Sequence, residues 1–255
     1  MKIITLNIWG GKLYDSLLSF VKKYSQKIDV FCFQEVYQAP FDKLISRDMH
    51  ADIYSELAKN LPQHTGFFAP HLQNYDLGGK VDFDLKAGLA IFIRNNIIDV
   101  KECKDIFIYR DGLELLNNDI TTIPRNLQYI SFTVNNNNYL IAHFHGIWYP
   151  KTKVDTPDRI KQVQKIKEFL STREERKILC GDFNLLPATK SMKILEKGMV
   201  NLVNKYDIKT TRNKYYERDE KHADYILVSQ DVNVIDFRVQ DITISDHLPL
   251  LLEIA

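Results

Sequence analysis

The stretch KILCGDFNLLP, Lys177–Pro187, decides how this 255-residue chain is read. Ile178, Leu179 and Cys180 form an apolar run that stops at Gly181, and Asp182 and Asn184 follow two residues apart. A short apolar run closed by turn residues is the pattern of a buried strand reaching solvent. In an extended chain residues i and i+2 point the same way, so a carboxylate and a carboxamide share one side of the strand's end. Phe183 then faces the other side and anchors the turn in the core. Gly, Asp and Asn are also the usual turn formers, so the stretch alone allows a plain turn.

Outward from this strand the chain alternates between strand and helix patterns. Lys2 to Asn7 reads as a short buried strand, residues 13–26 as an amphipathic helix carrying Leu13, Leu17, Val21 and Tyr24, and Ile28 to Glu35 as a second strand. Strand, helix, strand is a βαβ-type opening. Phe41, Leu44, Ile45, Met49, Ile53, Tyr54 and Leu57 mark a second helix, and Gly66 to Lys86, with Gly78-Gly79, a long loop. Strands are expected at Gly88–Arg94 and in a hairpin, Leu127–Val134 and Tyr139–Phe144, turning at Asn135–Asn138. Thr156-Pro157 is a helix start, with an N-cap followed by proline at N1. A short helix follows near Ser191–Lys197, and Asp224–Ser229, Val232–Val239 and Leu248–Ile254 close the chain as strands. With no internal repeat and no linker-like break, residues 1–255 read as one α/β domain.

Composition bounds the function. A hydrophobic content of 45% and a charged content of 26% are ordinary for a soluble globular protein. A net charge of +1 argues against a strongly basic binder that relies on phosphate neutralisation. The three cysteines, Cys32, Cys103 and Cys180, include no CxxC pair, and Cys32 and Cys180 read as small core hydrophobes. No run approaches the ~20 apolar residues of a membrane helix, and the start MKIITLNIWGG lacks a signal-peptide core. A reducing, cytoplasmic setting is expected.

The strand ends carry the chemistry. Asn7 closes the first strand and Glu35 the second; His143 and His145 end YLIAHFHG; Asp182 and Asn184 follow KILC; Asp224 opens DYILVS; Ser245-Asp246-His247 precedes the last strand. Any one of these has an ordinary reading as a cap or a turn. Together, at strand ends where α/β sheets build their sites, they supply hard oxygen ligands suited to Mg²⁺ or Mn²⁺. There is no Cys/His cluster at zinc spacing. Hard-metal oxygens with histidines point to metal-assisted hydrolysis of a phosphate ester.

On these residues the chain resembles the endonuclease/exonuclease/phosphatase superfamily, the phosphoesterases related to apurinic endonucleases and pancreatic deoxyribonuclease. The matching pieces are TLNIWG (5–10), FQEV (33–36), GLAIFIR (88–94), IAHFHG (141–146), GDFN (181–184), ADYILVS (223–229) and SDHLPL (245–250), in the family's order along nearly the whole length. The resemblance implies a four-layer α/β sandwich: two mixed β-sheets face to face, helices outside, and a site at one end. It implies Glu35 as principal metal ligand with Asn7 beside it and Asp246 assisting. Asp182 and Asn184 would orient the attacking water and hold the phosphate or a second metal. His247, oriented by Asp224, would bond the phosphate or act as base. His143 rather than His145 aligns with the family's strand-end histidine and would stabilise phosphate or leaving-group charge. Trp9 stands where many members carry an acid of the metal site, a departure that bears on a second ion.

The implied substrates range over nucleic acid, nucleotides, phosphorylated metabolites and lipid headgroups, and the fold does not choose among them. The choice falls to loops. Gly146–Pro157 combines Trp148 and Tyr149 with Lys151 and Lys153; Thr210–Tyr216 combines Arg212 and Lys214 with two tyrosines; Gly66–Lys86 carries Phe67, Phe68, His71 and Tyr75. Aromatics among cations suit stacking on a base and holding phosphates, as in single-stranded nucleic acid or a nucleotide, and suit plain loop packing equally. Arg125 reads as a phosphate contact or a surface ion pair, and Arg159 as part of a solvated helix face. The leading reading is a phosphodiesterase or nuclease. The alternatives are a phosphatase or phosphodiesterase of a small metabolite or lipid headgroup, and an inactive binding module, which would require a broken metal site.

Overall fold

The structure is a computed structural model describing residues 1–95 and 98–255. The strands in chain order are β1 Lys2–Asn7, β2 Val30–Gln38, β3 Leu44–Ile45, β4 Met49–His50, β5 His64–Gln73, β6 Tyr75–Asp76, β7 Gly79–Lys80 and β8 Lys86–Arg94. They continue as β9 Asp99–Tyr109, β10 Arg125–Val134, β11 Asn137–His145, β12 Arg176–Asp182, β13 Met199–Asn201, β14 Asp224–Ser229, β15 Val234–Val239 and β16 Leu250–Ile254. The helices are α1 Tyr14–Tyr24, α2 Ile53–Asn60, α3 Pro157–Ser171, α4 Lys190–Glu196 and α5 Leu202–Lys205.

Twelve of the strands form two six-stranded sheets, ordered β15-β16-β1-β2-β8-β5 and β13-β14-β12-β11-β10-β9. Both sheets are mixed and share a plan. One parallel pair sits at the centre, β1/β2 in the first and β11/β12 in the second, and all other pairs are antiparallel. A parallel pair needs a crossover; α1 supplies it in one sheet and α3 in the other. Strand alternation sorts the layers. Ile3, Val30 and Cys32 join the core between the sheets, whereas Ile4, Leu6, Phe31 and Phe33 pack outward against Leu17, Val21, Ile53 and Leu57 of α1 and α2. The expected four-layer sandwich with outer helices is what the chain forms.

Three stretches depart from the sequence reading. The expected helix over 41–57 is confined to α2. Before it the Asp42 carboxylate accepts from the backbone N–H of Asp52 and bonds the His50 ring, and Lys43 carries a backbone bond from Ala51. Such local bonds compete with helix, and Phe41 and Leu44 are left 49% and 60% exposed rather than on a buried face. The long loop expected over 66–86 contains the edge strand β5. Pro70 lies at a register shift of that strand, the place a sheet tolerates proline. The second edge strand, β9, falls in a region the sequence reading leaves unassigned; its Lys101, Glu102, Lys104 and Asp105 hide the strand pattern and protect an edge. The hairpin turn is tighter than the Asn run suggests. Only Asn135 and Asn136 are left-handed, at φ 48° and 61°, and Asn137 already belongs to β11.

Arg159 is buried, not solvated. At 1% exposure its guanidinium donates to the carbonyls of Ile147, Pro150, Thr152 and Val154. Four carbonyls of the 146–157 loop therefore close around one cation. Thr156 caps α3 through Arg159 N–H, as the Thr-Pro start requires. Arg159→Leu strands these carbonyls, so the expected loss is about 3 kcal/mol of unfolding free energy. Faster proteolysis within 148–155 accompanies it. A urea midpoint and a nicking rate equal to wild type would contradict the clamp.

Between the sheets lies a polar seam. His143, fully buried, accepts from Gln34 Nε2 at Nδ1 (3.2 Å) and donates from Nε2 to Gln128 Oε1 (2.8 Å). One neutral tautomer satisfies both bonds. Burial pushes this imidazole from 6.5 down to about 3, so it stays neutral in the fold while the unfolded chain takes up a proton below about 6.5. Its contribution to stability is whole above that pH and falls as the pH drops toward 3, by up to about 1.4 kcal/mol per unit. In urea unfolding at neutral pH and two units below wild-type onset, His143→Gln is expected to lose about 2 kcal/mol less than wild type. An unchanged pH dependence would contradict a neutral buried His143.

Candidate active site

At one end of the sandwich, strands β1, β2, β10, β11, β12 and β14 deliver polar side chains into the gap between the sheets. On β1 the inward positions are Ile3, Thr5 and Asn7, so the last of them ends the strand with a carboxamide. On β2 the inward series Val30, Cys32, Gln34 would send Glu35 outward. A register shift between Phe33 and Val36 and a left-handed Glu35 (φ 55°) turn its carboxylate back into the gap. A bulge that re-aims a side chain beside a site is a recurrent device. On β12 Gly181 holds φ 128°, and a Cβ there would lie 2.2 Å from the Phe144 carbonyl, so glycine is required. Phe183 packs on Phe144 and Tyr225 at ring distances of 4.4 and 5.2 Å, the anchoring the sequence suggested. Asp182 and Asn184 do share a side, for a different reason. Asn184 is left-handed (φ 52°) and its N–H donates to Asp182 Oδ1 at 3.0 Å, so a side-chain turn, not an extended chain, brings them together.

Asp182 is the hub. Asn7 Nδ2 donates to Asp182 Oδ2 (3.1 Å) and to Glu35 Oε1 (2.9 Å), while Asn7 Oδ1 accepts from Trp9 N–H (3.0 Å). His247 Nε2 and His145 Nε2 lie 3.5 and 3.6 Å from the same Asp182 oxygen. His247 Nδ1 meets both oxygens of Asp224 (2.8 and 2.9 Å), and Asp224 Oδ2 also accepts from Thr211 Oγ1 (2.8 Å). That pairing fixes the tautomer with Nδ1 protonated and Nε2 free to accept. Arg212 fills the acceptor position: its Nη1 contacts His247 Nε2 and reaches Asp246 Oδ2 at 2.9 Å. Ser245 Oγ donates to the Asn7 carbonyl (2.7 Å), tying Ser245-Asp246-His247 to the end of β1.

The charges set the titration. Burial, with the charges of Asp246 and Asp182, pushes Glu35 up against the opposing bond from Asn7. For Asp182 burial works against ionisation, but His247, Arg212 and Lys153 outweigh it and hold the carboxyl well below the usual range. Burial and Arg212 work against the His247 imidazolium, and Asp224, Asp246 and Asp182 outweigh them, so its pKa is raised. Burial and Arg125 drive His71 down to about 3 and keep His145 neutral.

A cavity of about 280 Å³ opens beside these groups. Of the residues expected at the site, Glu35, Arg125, Trp148, Asp182, Asn184, Arg212, Asp246 and His247 line it, and Asn7 and Asp224 support the lining from behind. His143 does not. It is one strand step pair deeper in the polar seam, and His145, two residues on and on the same side of β11, occupies the mouth instead. The HFH pattern held that signal, since both histidines face inward. Tyr149 also lies outside the lining; it is 47% exposed and stands edge-on to Trp148. Arg125 is neither a surface residue nor an ion pair. At 4% exposure its Nη1 donates to His71 Nε2 (3.4 Å) and His145 Nδ1 (3.2 Å), and its Nε has no partner among the described residues. Trp9, Arg47, Lys153 and Tyr216 also line the wall; Lys153 and Tyr216 sit in loops the sequence marked, Trp9 holds the metal-site position the resemblance singled out, and Arg47 gave no such signal.

The donor set fits a hard divalent cation. The carboxylates of Glu35, Asp182 and Asp246 face one cavity, and among the described residues Glu35 has only the Asn7 amide as a hydrogen-bond partner. Three carboxylates facing one another, Asp182 buried and Glu35 and Asp246 half-buried, call for a cation, and their oxygens suit Mg²⁺ or Mn²⁺. Among the described residues, ligand atoms of Asp182, Asp224 and His247 also lie within 4.8 Å of one another, close enough to hold an ion. In that group both Asp224 oxygens are already engaged by His247.

Comparison with known proteins agrees with this geometry. Residues 4–247 match the model of the Endonuclease/Exonuclease/phosphatase family. No curated protein matches the sequence. Among solved structures, a Leptotrichia buccalis protein of that family superposes with a TM-score of 0.72 at 18% identity, covering 100% of this chain and 99% of the other. A mannosyl-6-phosphatase of Bacteroides thetaiotaomicron gives 0.71 at 17%, covering 100% and 99%, and a humanized D. rerio TDP2 gives 0.70 at 16%, covering 100% and 98%. The sandwich, the cavity between its sheets and the match over nearly the whole length lead to one conclusion: the chain belongs to the endonuclease/exonuclease/phosphatase family and is a phosphoester hydrolase.

Proposed function

We propose that the protein hydrolyses a small phosphate ester, with the phosphoryl group held between the Glu35–Asp246 carboxylates and the wall formed by Arg125, His145 and Arg212. The observation that carries this reading is the cavity. About 280 Å³ accommodates one phosphorylated ring, as in a nucleotide or a sugar phosphate, and not a duplex lying across the surface. The solved neighbours include a protein named as a phosphatase and one named TDP2, so the fold leaves the choice open. A second reading, the end of a single-stranded nucleic acid, draws on Trp148, Tyr149 and Lys151 at the rim, where Lys151 Nζ lies 5.4 Å from the Trp148 ring. The three unpaired cysteines fit a reducing compartment, and no helix among the described residues is long and apolar enough to cross a membrane.

Glu35 and Asp246 would hold Mg²⁺ or Mn²⁺. Bound there, the ion supplies Lewis-acid stabilisation of phosphoryl charge. Asn7 is better read as a spacer than as a ligand: its Nδ2 holds Glu35 and Asp182 apart, and its oxygen is engaged by Trp9 N–H. Asp182, kept ionised, and Asn184 orient the attacking water. His247 Nε2 is positioned to accept its proton or to bond a phosphate oxygen once Arg212 turns toward the substrate, and Asp224 stabilises the imidazolium. His145, neutral with Nδ1 accepting from Arg125, directs its Nε2–H between Glu35 and Asp182, toward the leaving side.

Turnover of a nitrophenyl phosphate ester with Mg²⁺ or Mn²⁺ tests the assignment. His247→Ala is expected to lower kcat by about 10³-fold and Asp224→Asn by about 10²-fold. Glu35→Gln is expected to raise the metal concentration needed for half-maximal rate by at least about tenfold. Near wild-type turnover in His247→Ala would remove it from the mechanism. Chelation should abolish the reaction. In a panel of mononucleotides, sugar phosphates and oligonucleotides, small esters are expected to be cleaved faster than duplex DNA; a preference for duplex would overturn the cavity argument.

A further inference from the structure

Two buried cations in the cavity wall have no carboxylate within salt-bridge distance among the described residues. Lys153 is 4% exposed, and its ammonium spends one of three donors, on Tyr216 Oη at 3.0 Å. Arg125 is equally buried, and among the described residues it bonds only imidazole nitrogens and leaves Nε without a partner. Neither forms a salt bridge among the described residues. The third buried cation of this wall, Arg212, is committed to Asp246 and Asp182 at 2.9 and 3.9 Å. Lys153 and Arg212 also crowd each other: both lie over the Tyr216 ring, 4.4 and 4.2 Å from its centre. Burial and the Arg212 charge bring the Lys153 ammonium down to about 8 against the opposing charges of Asp182, Asp224 and Glu220. A buried charge without a partner is costly unless a ligand supplies one.

We propose that Lys153 and Arg125 make the cavity a site for a dianionic phosphate group, so that the enzyme prefers phosphomonoesters to phosphodiesters. The inference rests on the hydrolase reading above and narrows its substrate class. A phosphomonoester carries nearly two charges at neutral pH, because its second ionisation lies near 6; a diester carries one. The Glu35, Asp182 and Asp246 carboxylates face Arg212 and the metal site, Asp76 is taken by the N–H groups of Ser46 and Gly78, and Arg47, Lys151 and Arg218 are exposed. Of the buried cations Lys153 and Arg125 are left without a carboxylate partner among the described residues, and a dianion neutralises both. Lys153 acts here as a specificity residue. Its place is fixed from behind by the Arg159 clamp on the 146–157 loop and by the bond from Leu186 N–H to the Lys153 carbonyl (2.9 Å).

The experiment pairs a nitrophenyl phosphate with the methyl nitrophenyl diester, which share a leaving group, in wild type, Lys153→Met and Lys153→Arg. Lys153→Met is expected to lower kcat/KM for the monoester by about 100-fold and for the diester by less than about fivefold. Lys153→Arg keeps most of the monoester preference. Inorganic phosphate binding, read without turnover from the fluorescence of the two tryptophans, both of which line the cavity, is expected to weaken by about 30-fold in Lys153→Met. Equal losses on both esters, a wild type that favours the diester, or unchanged phosphate affinity would overturn the proposal. If Lys153→Met does not fold, Tyr216→Phe, which removes the hydroxyl holding the ammonium, is measured the same way, with about tenfold effects expected. A wild type that cleaves neither ester would count against the hydrolase reading, and phosphate binding would still decide the role of Lys153.

Discussion

The structure turns on one buried hydrogen bond between its two sheets, from Asn7 at the end of β1 to Asp182 at the end of β12, 3.1 Å long. The two residues are 175 positions apart and each closes a central strand of its own sheet. Because Asn7 also donates to Glu35, one carboxamide sets the spacing of two carboxylates that would otherwise repel. Asp182 in turn stands against His145, His247 and Arg212. The site is therefore a property of how the sheets face each other, not of any single loop. The apolar layer behind it, with Cys32, Ile141 and Cys180 among its buried members, holds that facing in place.

The charge pattern extends the same logic. Carboxylates, imidazoles and cations line the same cavity, and of its buried cations only Arg212 is paired with carboxylates among the described residues. His71 and His145 are neutral, so Arg125 remains an uncompensated cation and not part of a closed ion-pair network. Closed networks give a protein little net stability once desolvation is counted. Leaving charges open at a cavity instead stores electrostatic free energy that a substrate and a metal release on binding. The bulge at Glu35 and the left-handed Asn184 are strained or unusual backbone of the kind that gathers where function requires it.

Much of this was legible in the residues. The polar strand ends Asn7, Glu35, Asp182, Asp224 and His247 converge as the strand patterns suggested, because a strand's period fixes which residues can meet at its end. The α3 cap at Thr156-Pro157 was equally plain. What the pattern hid was decided by tertiary geometry. His143 and His145 sit on the same side of β11, and only the depth of the seam tells which one reaches the mouth. Arg159 reads as a wet residue on a helix and is instead the centre of a carbonyl clamp. Glu35 owes its direction to a bulge that no periodicity announces. Strands β5 and β9 are sheet edges, where proline and charges replace the alternation that identifies a strand.

The central claim is that a divalent ion sits on the Glu35 side of the cavity while His247 stays free for proton transfer. A crystal soaked in Mn²⁺ and inorganic phosphate tests it directly through anomalous scattering. The account places the manganese peak at the carboxylates of Glu35 and Asp246, with His247 still bonded to Asp224 and the phosphate against Lys153 and Arg125. A peak bound by Asp182, Asp224 and His247 together would contradict it, because the imidazole and its orienting carboxylate would then be metal ligands and unavailable as a base.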